Sequence, residues 1–253
     1  MSAAVPVPRW LVPPLAVLAY LLMAVAVLVA LPAEALVLAV TWPFDPTRRV
    51  AGRFLRLWGA SLGYAFPLWR VRIDGAIPPG RHPFVAVANH QSFLDVFMLS
   101  RLPWEMKWVA KESLFRIPWV GWLFRLSGDI PIRRGHHGSG QAVLAAARRY
   151  LDRGTSVMFF PEGTRSRDGR LQAFKSGAFW LAIEAGVPVL PIAVSGTAEG
   201  MPKGSPWVRP ARPRARVLPP VPTAGLSLED ADRLCDEVRE RIAAAVADLA
   251  REP

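Results

Sequence analysis

A chain of 253 residues has room for one domain of ordinary size, and at 52% hydrophobic residues it is too apolar to be wholly water-soluble. Its single cysteine, Cys235, excludes an internal disulfide framework and a multi-cysteine metal site. The net charge of +11 calls for anionic partners, but the basic residues form no recognisable nucleic-acid module, so lipid head groups, phosphorylated small molecules and acidic proteins are favoured.

The apolar excess lies at the start. Residues 10–33 contain no charge, and 15–31 run without proline or charge, close to the ~20 residues that cross a bilayer core. Pro32 and Glu34 interrupt this pattern before residues 35–42 resume it. A spanning helix, a shorter helix broken near Pro32 that dips into one leaflet, and a cleaved signal peptide all share this profile. The last fits worst, because its apolar region exceeds the usual ~7–15 residues and only Arg9 precedes it. An uncleaved anchor is expected, in the cell's inner membrane. Arg48, Arg49, Arg53, Arg56 and Arg70 follow it, which places the rest of the chain on the cytoplasmic face. Residues 48–69 mix those arginines with large apolar side chains and suit either an interfacial amphipathic helix or a linker helix packed on the following domain. This stretch holds a formal G-x-S-x-G match, residues 59–63, but a nucleophile elbow needs a strand before it, and none is expected there.

A short apolar run, residues 83–88, reads as a buried strand and leads into Asn89-His90-Gln91-Ser92-Phe93-Leu94-Asp95. On one regular helix, residues five apart point roughly 140° away from each other. Asp95 therefore faces His90 only if a helix begins between them, and Ser92-x-x-Asp95 has the form of a capping box. Such a pair suits proton removal near neutral pH, whereas a capping carboxylate beside a loop histidine is the structural alternative. Aromatic residues between Trp104 and Phe124 line either a tunnel for an apolar chain, the membrane interface or the core. His136-His137 sit among glycines and read as a flexible loop with no metal.

The strand expected at 155–160 runs into Pro161-Glu162-Gly163-Thr164-Arg165-Ser166-Arg167, a loop suited to an anion, with Arg170 and Lys175 close behind. Further strands are expected at 106–110, 128–133 and 188–194, helices at 141–153 and 175–185, and a strand at 215–218 within the proline-rich tract 201–222. A capped, charged-faced helix over 227–251 closes the chain. Alternating strands and helices imply an α/β fold, a single largely parallel sheet covered by helices, preceded by the apolar helical segment. The boundaries are 1–70 for anchor and interfacial helix and 71–253 for the domain behind them.

Two stretches, Asn89–Asp95 and Phe160–Ser166, resemble the first and third motifs of the glycerolipid acyltransferase family. Residues 111–121, 128–134 and 187–192 resemble its intervening and fourth motifs in the same order, so that the likeness spans about residues 70 to 200. One departure stands out: the family's second motif often ends Ile-Asp-Arg, whereas here it reads Ile132-Arg133-Arg134. The resemblance implies that His90 deprotonates the free hydroxyl of a lysophospholipid while Asp95 orients the imidazole. It implies that Glu162, Gly163, Thr164 and Arg165 position the acceptor, with Arg134 and Lys175 assisting. The implied reaction moves an acyl group from acyl-CoA or acyl carrier protein to lysophosphatidic acid, giving phosphatidic acid, with no cofactor and no metal. The altered second motif motivates a different acceptor, such as a lyso-ornithine lipid; a non-catalytic scaffold for anionic lipids is the reading from another class.

Overall fold

A computed structural model of the chain describes residues 8–65, 68–77, 83–133, 135, 138–166 and 169–252. Seven strands, β1 (Arg72–Gly75), β2 (Val85–Ala88), β3 (Met106–Lys111), β4 (Ile130–Ile132), β5 (Ser156–Phe159), β6 (Val189–Ser195) and β7 (Arg214–Val217), form one sheet. Their order is β1-β7-β6-β2-β5-β3-β4, and every neighbouring pair is parallel except β6 and β7. Eight helices accompany them among the described residues: α1 (Val12–Thr41), α2 (Arg49–Ala65), α3 (Leu94–Leu99), α4 (Val120–Ser127), α5 (Ser139–Leu151), α6 (Gly177–Ala185), α7 (Thr197–Gly200) and α8 (Ala231–Arg251).

The central strands are apolar at successive positions because both faces are covered. Val85, Val87 and Val157 pack against Ala147, Phe179 and Val238 from α5, α6 and α8. The alternate side chains Ala86, Met158 and Leu190 meet Met98 and Leu99 of α3 on the other face. Alternation along a strand thus divides one apolar run between two cores. Three elements are not expected from the sequence: β1, which is polar and mostly exposed, the single-turn α7, and α4, a short helix directly after Trp119, whose positive φ of 65° turns the chain.

The apolar segment forms one continuous helix through Pro32, with no break there. α1 lies lengthwise on the domain: Ala16 and Ala19 pack with Trp69, Leu94 and Phe97, while Trp58 Nε1 donates to the Ala26 carbonyl at 3.1 Å. Its one acid, Glu34, is buried within the fields of Arg56 and Lys107. Val17, Leu21, Val25, Leu28, Leu36 and Val40 form an exposed stripe.

Most of the arginines expected at an interface face the protein instead. Arg49 Nε donates to Thr155 Oγ1 at 2.7 Å, and Arg53 donates to the Leu102 carbonyl at 2.7 Å. Arg56 forms a buried ion pair with Asp129 and stacks 4.9 Å from the Trp108 ring centroid. Lys107, wholly buried, donates to the carbonyls of Arg48 and Ser127, both at 2.8 Å, and to Glu105 at 2.7 Å. These side chains pack α2 on the domain, while Val50 and Leu57 stay exposed. Arg56→Ala would leave Asp129 buried without its cation, and is expected to cost about 3–5 kcal/mol of stability. Thermal unfolding of the detergent-solubilised protein measures this; Arg56→Met with Asp129→Asn, which keeps an acceptor for the Trp108 backbone N–H, should recover most of the loss.

Candidate active site

Parallel pairing of β2 with β5 builds the site. The register sets Val87 opposite Phe159, and three residues further on both strands have ended, which brings His90 and Glu162 together. The His90 backbone N–H donates to Glu162 Oε1 at 2.7 Å, and the Gln172 N–H donates to Oε2 at 3.2 Å. The Ser166 N–H donates to the His90 carbonyl at 2.8 Å, so that one loop holds both backbone groups of the histidine. Burial pushes the Glu162 carboxyl above its ordinary range, and the two backbone donors partly offset this. Glu162 is therefore a brace between loops: both of its oxygens are occupied by main chain.

His90 Nδ1 lies 2.7 Å from Asp95 Oδ2. The same oxygen accepts the backbone N–H groups of Gln91 at 2.8 Å and Ser92 at 3.0 Å. Ser92 Oγ accepts the Leu94 N–H at 3.1 Å and donates to the Met201 carbonyl at 2.8 Å. α3 begins at Leu94 with Phe93 at its N-cap, so only half of the capping box expected of Ser92-x-x-Asp95 forms: Asp95 accepts the Ser92 N–H, whereas the Ser92 hydroxyl accepts from Leu94 and not from Asp95. Asp95 is fully buried and His90 is 13% exposed at its side chain. Phe160 stacks on the imidazole with centroids 4.0 Å apart, and Trp108 packs on Phe160 at 6.0 Å. A carboxylate only accepts, so the shared proton belongs to Nδ1, which leaves the Nε2 lone pair for a substrate.

Gly163 has φ 69°, and a Cβ there would stand 3.4 Å from Lys175 Nζ, so the absent side chain lets the lysine cross the loop. Thr164 Oγ1 and the Arg165 carbonyl both accept from Lys203 Nζ, at 3.1 and 2.6 Å. The Arg165 guanidinium forms no ion pair among the described residues, which suits an incoming anion. Arg134, with His136 and His137, lies outside the described residues. One basic side chain escapes sequence reasoning: Lys203 sits in the proline-rich tract, where no pattern announces it.

The other chemistry-bearing residues recede. Ser61 lies within α2, its hydroxyl donating to the Trp58 carbonyl at 2.7 Å. Burial pushes the Cys235 thiol to about 11, making it a packing residue of α8. The aromatic stretch divides: Trp108 and Phe115 are buried, while Trp119 and Trp122 stand 46% and 50% exposed.

A histidine–aspartate pair at the carboxyl end of a parallel strand, facing a basic loop at the end of the next, lies where open α/β sheets place their ligands. The chain belongs to the acyltransferase family, whose pattern it matches over residues 70–195. It is 41% identical over 203 residues to the chloroplastic 1-acyl-sn-glycerol-3-phosphate acyltransferase of Arabidopsis thaliana, covering 79% of this chain and 55% of that one. It is 38% identical over 191 residues to the human 1-acyl-sn-glycerol-3-phosphate acyltransferase alpha, covering 74% and 67%. The solved 1-acyl-sn-glycerophosphate (LPA) acyltransferase of Thermotoga maritima superposes with TM-score 0.70 at 26% identity, over 93% of this chain and 99% of that one. The chain spans a little over half the length of the Arabidopsis relative.

Glu162→Gln would turn an amide NH2 toward one of the two backbone N–H groups that the carboxylate now accepts. A loss of about 1–3 kcal/mol is expected, together with faster proteolysis at residues 163–172, measured by thermal unfolding and limited proteolysis.

Proposed function

We propose that the protein transfers a fatty acyl group from a thioester to the free hydroxyl of lysophosphatidic acid, giving phosphatidic acid. The observation that carries this reading is the 2.7 Å contact between His90 Nδ1 and Asp95 Oδ2, which turns Nε2 outward as a base. Nε2 takes the hydroxyl proton as the oxygen attacks the thioester carbonyl. The tetrahedral intermediate collapses with cleavage of the carbon–sulfur bond, and the imidazolium returns the proton to the departing thiolate. Buried Asp95 stabilises the charged ring, and the stacking of Phe160 keeps it aligned. No residue need become acylated, since Ser92 already spends its hydroxyl on Leu94 and Met201.

Arg165 and Lys175 receive the acceptor phosphate, and Glu162, Gly163 and Thr164 shape the loop that carries them; Arg134 joins by its place in the second motif. The reaction needs no metal or cofactor beyond the thioester, which acyl-CoA or acyl carrier protein supplies. Both donors, like anionic membrane lipids, are drawn by the +11 charge, and nucleic acid is not a partner. The outward stripe of α1, joined by Trp119 and Trp122, seats the domain on the cytoplasmic face of the inner membrane. Because α1 rests on α2, α3 and α4 through its length, lateral insertion into one leaflet accommodates it better than a free span.

The purified protein, given lysophosphatidic acid and a labelled acyl thioester, should form phosphatidic acid, and His90→Ala should slow it roughly 10²–10⁴-fold. Arg165→Lys should raise KM for the acceptor by about tenfold while leaving kcat closer to normal, because a lysine cannot hold phosphate bidentately. An acceptor panel that found turnover only on a non-phosphorylated lysolipid would overturn the acceptor assignment; lipid binding without turnover on any acceptor would overturn the enzyme reading.

A further inference from the structure

A second concentration of positive charge lies away from the catalytic pair. A cavity of about 690 Å³ opens beside the first residues of β4, between α5, the segment that leads into α2 and the turn at Glu112–Arg116. Arg48, Arg116, Arg125, Arg149 and Arg153 line it. Two carboxylates share the lining, and both are engaged. Asp129 pairs with Arg56 and accepts the Trp108 backbone N–H, while Glu112 pairs with Arg116 at 3.1 Å and stands 3.9 Å from Arg133. Arg125, Arg149 and Arg153 have no ion-pair partner among the described residues. The hydroxyl of Tyr150, on the same wall, is kept protonated by burial and is available as a neutral donor. Several unbalanced guanidinium groups around a concave space match the oxygens of a phosphate monoester or diester.

The position separates this cavity from the acceptor loop. Arg153 precedes the amino end of β5, whereas Glu162 follows its carboxyl end, and four strand residues between them span about 13 Å. The cavity also sits where α1 ends. Trp42 forms part of its wall, the Arg48 guanidinium lies 5.4 Å from that indole's centroid, and the neighbouring Phe44 is exposed. An indole and arginines at the end of an apolar stripe occupy the depth at which lipid head groups lie.

We propose that this cavity binds the phosphate of an anionic glycerophospholipid of the host bilayer, as a site distinct from the acceptor site. The proposal rests on the seating of α1 in a leaflet. Such a lipid would fix how the domain sits on the membrane, holding its far end while the exposed stripe of α1 supplies depth. An acidic protein would need a broad basic face, and the concavity beside α1 favours a head group.

The test uses the full-length protein with the paired variant Arg149→Ala/Arg153→Ala; both side chains are exposed, so folding is not at risk. Binding is measured to vesicles of phosphatidylcholine alone and to vesicles with added phosphatidylglycerol. The wild type should bind the anionic vesicles more tightly, and the variant should lose that gain by about tenfold or more while binding phosphatidylcholine equally. Arg233→Ala/Arg241→Ala on α8 removes equal charge and should leave the gain intact. An unchanged gain in the cavity variant, or an equal loss in the α8 variant, overturns the proposal. So does protection of the wild type but not the cavity variant against thermal unfolding by inorganic phosphate, combined with an unchanged lipid gain, which would make the site one for soluble phosphate. Failure of every form to bind phosphatidylcholine vesicles would refute the seating of α1 and with it this site, whereas acyl transfer to micellar lysophosphatidic acid reports on the catalytic reading separately.

Discussion

The site depends on one carboxylate whose two oxygens both accept from main chain. Glu162 holds the ends of two adjacent parallel strands in fixed relation, accepting the N–H of His90 from one loop and that of Gln172 from the far side of its own. Where strands end, the ladder no longer satisfies the backbone, and buried groups must find other partners. Here those partners are side chains: Glu162 between β2 and β5, and the Asn89 amide between β2 and β6, which donates to the Val194 carbonyl at 2.8 Å and accepts its N–H at 2.7 Å. The histidine therefore stands on a stem pinned from both neighbouring strands. Its precision comes from secondary-structure register carried on a few residues by polar side chains.

Much of this was legible in the sequence because it rests on short-range rules. The strand at 83–88, the turn at Ser92 and the anion-suited loop after Phe160 each announce themselves through local pattern, and a five-residue spacing forced the helix to start between His90 and Asp95. What stayed hidden is set by distant contacts. The family resemblance places Glu162 with the acceptor-positioning residues, and nothing local reveals that its two oxygens also accept from main chain 72 and 10 residues away. Lys203 was passed over for the same reason. The arginines of α2 have the spacing of an interfacial helix, yet which way that helix turns is decided by Asp129, Thr155 and the Leu102 carbonyl, far along the chain.

The buried ions between α1, α2 and β3 have a cost in desolvation that hydrophobic residues of equal volume would avoid. Their return is directional. An apolar helix can slide and rotate on an apolar surface, but Arg56 accepts only the pose that meets Asp129, and Lys107 only the one that meets the Arg48 and Ser127 carbonyls. These contacts hold α2 in one register, and α1 packs against it.

That rigid seating turns the first helix into a gauge. If α1 rests in a leaflet, the height of His90 above the acyl chains is set by the packing of Ala16 and Ala19 against Leu94 and Phe97, two residues of the segment that carries Asp95. A lipid is then sorted by the altitude of its hydroxyl before any head-group contact is made, and a change of membrane thickness or packing would alter which lipids are within reach without altering a single residue of the site.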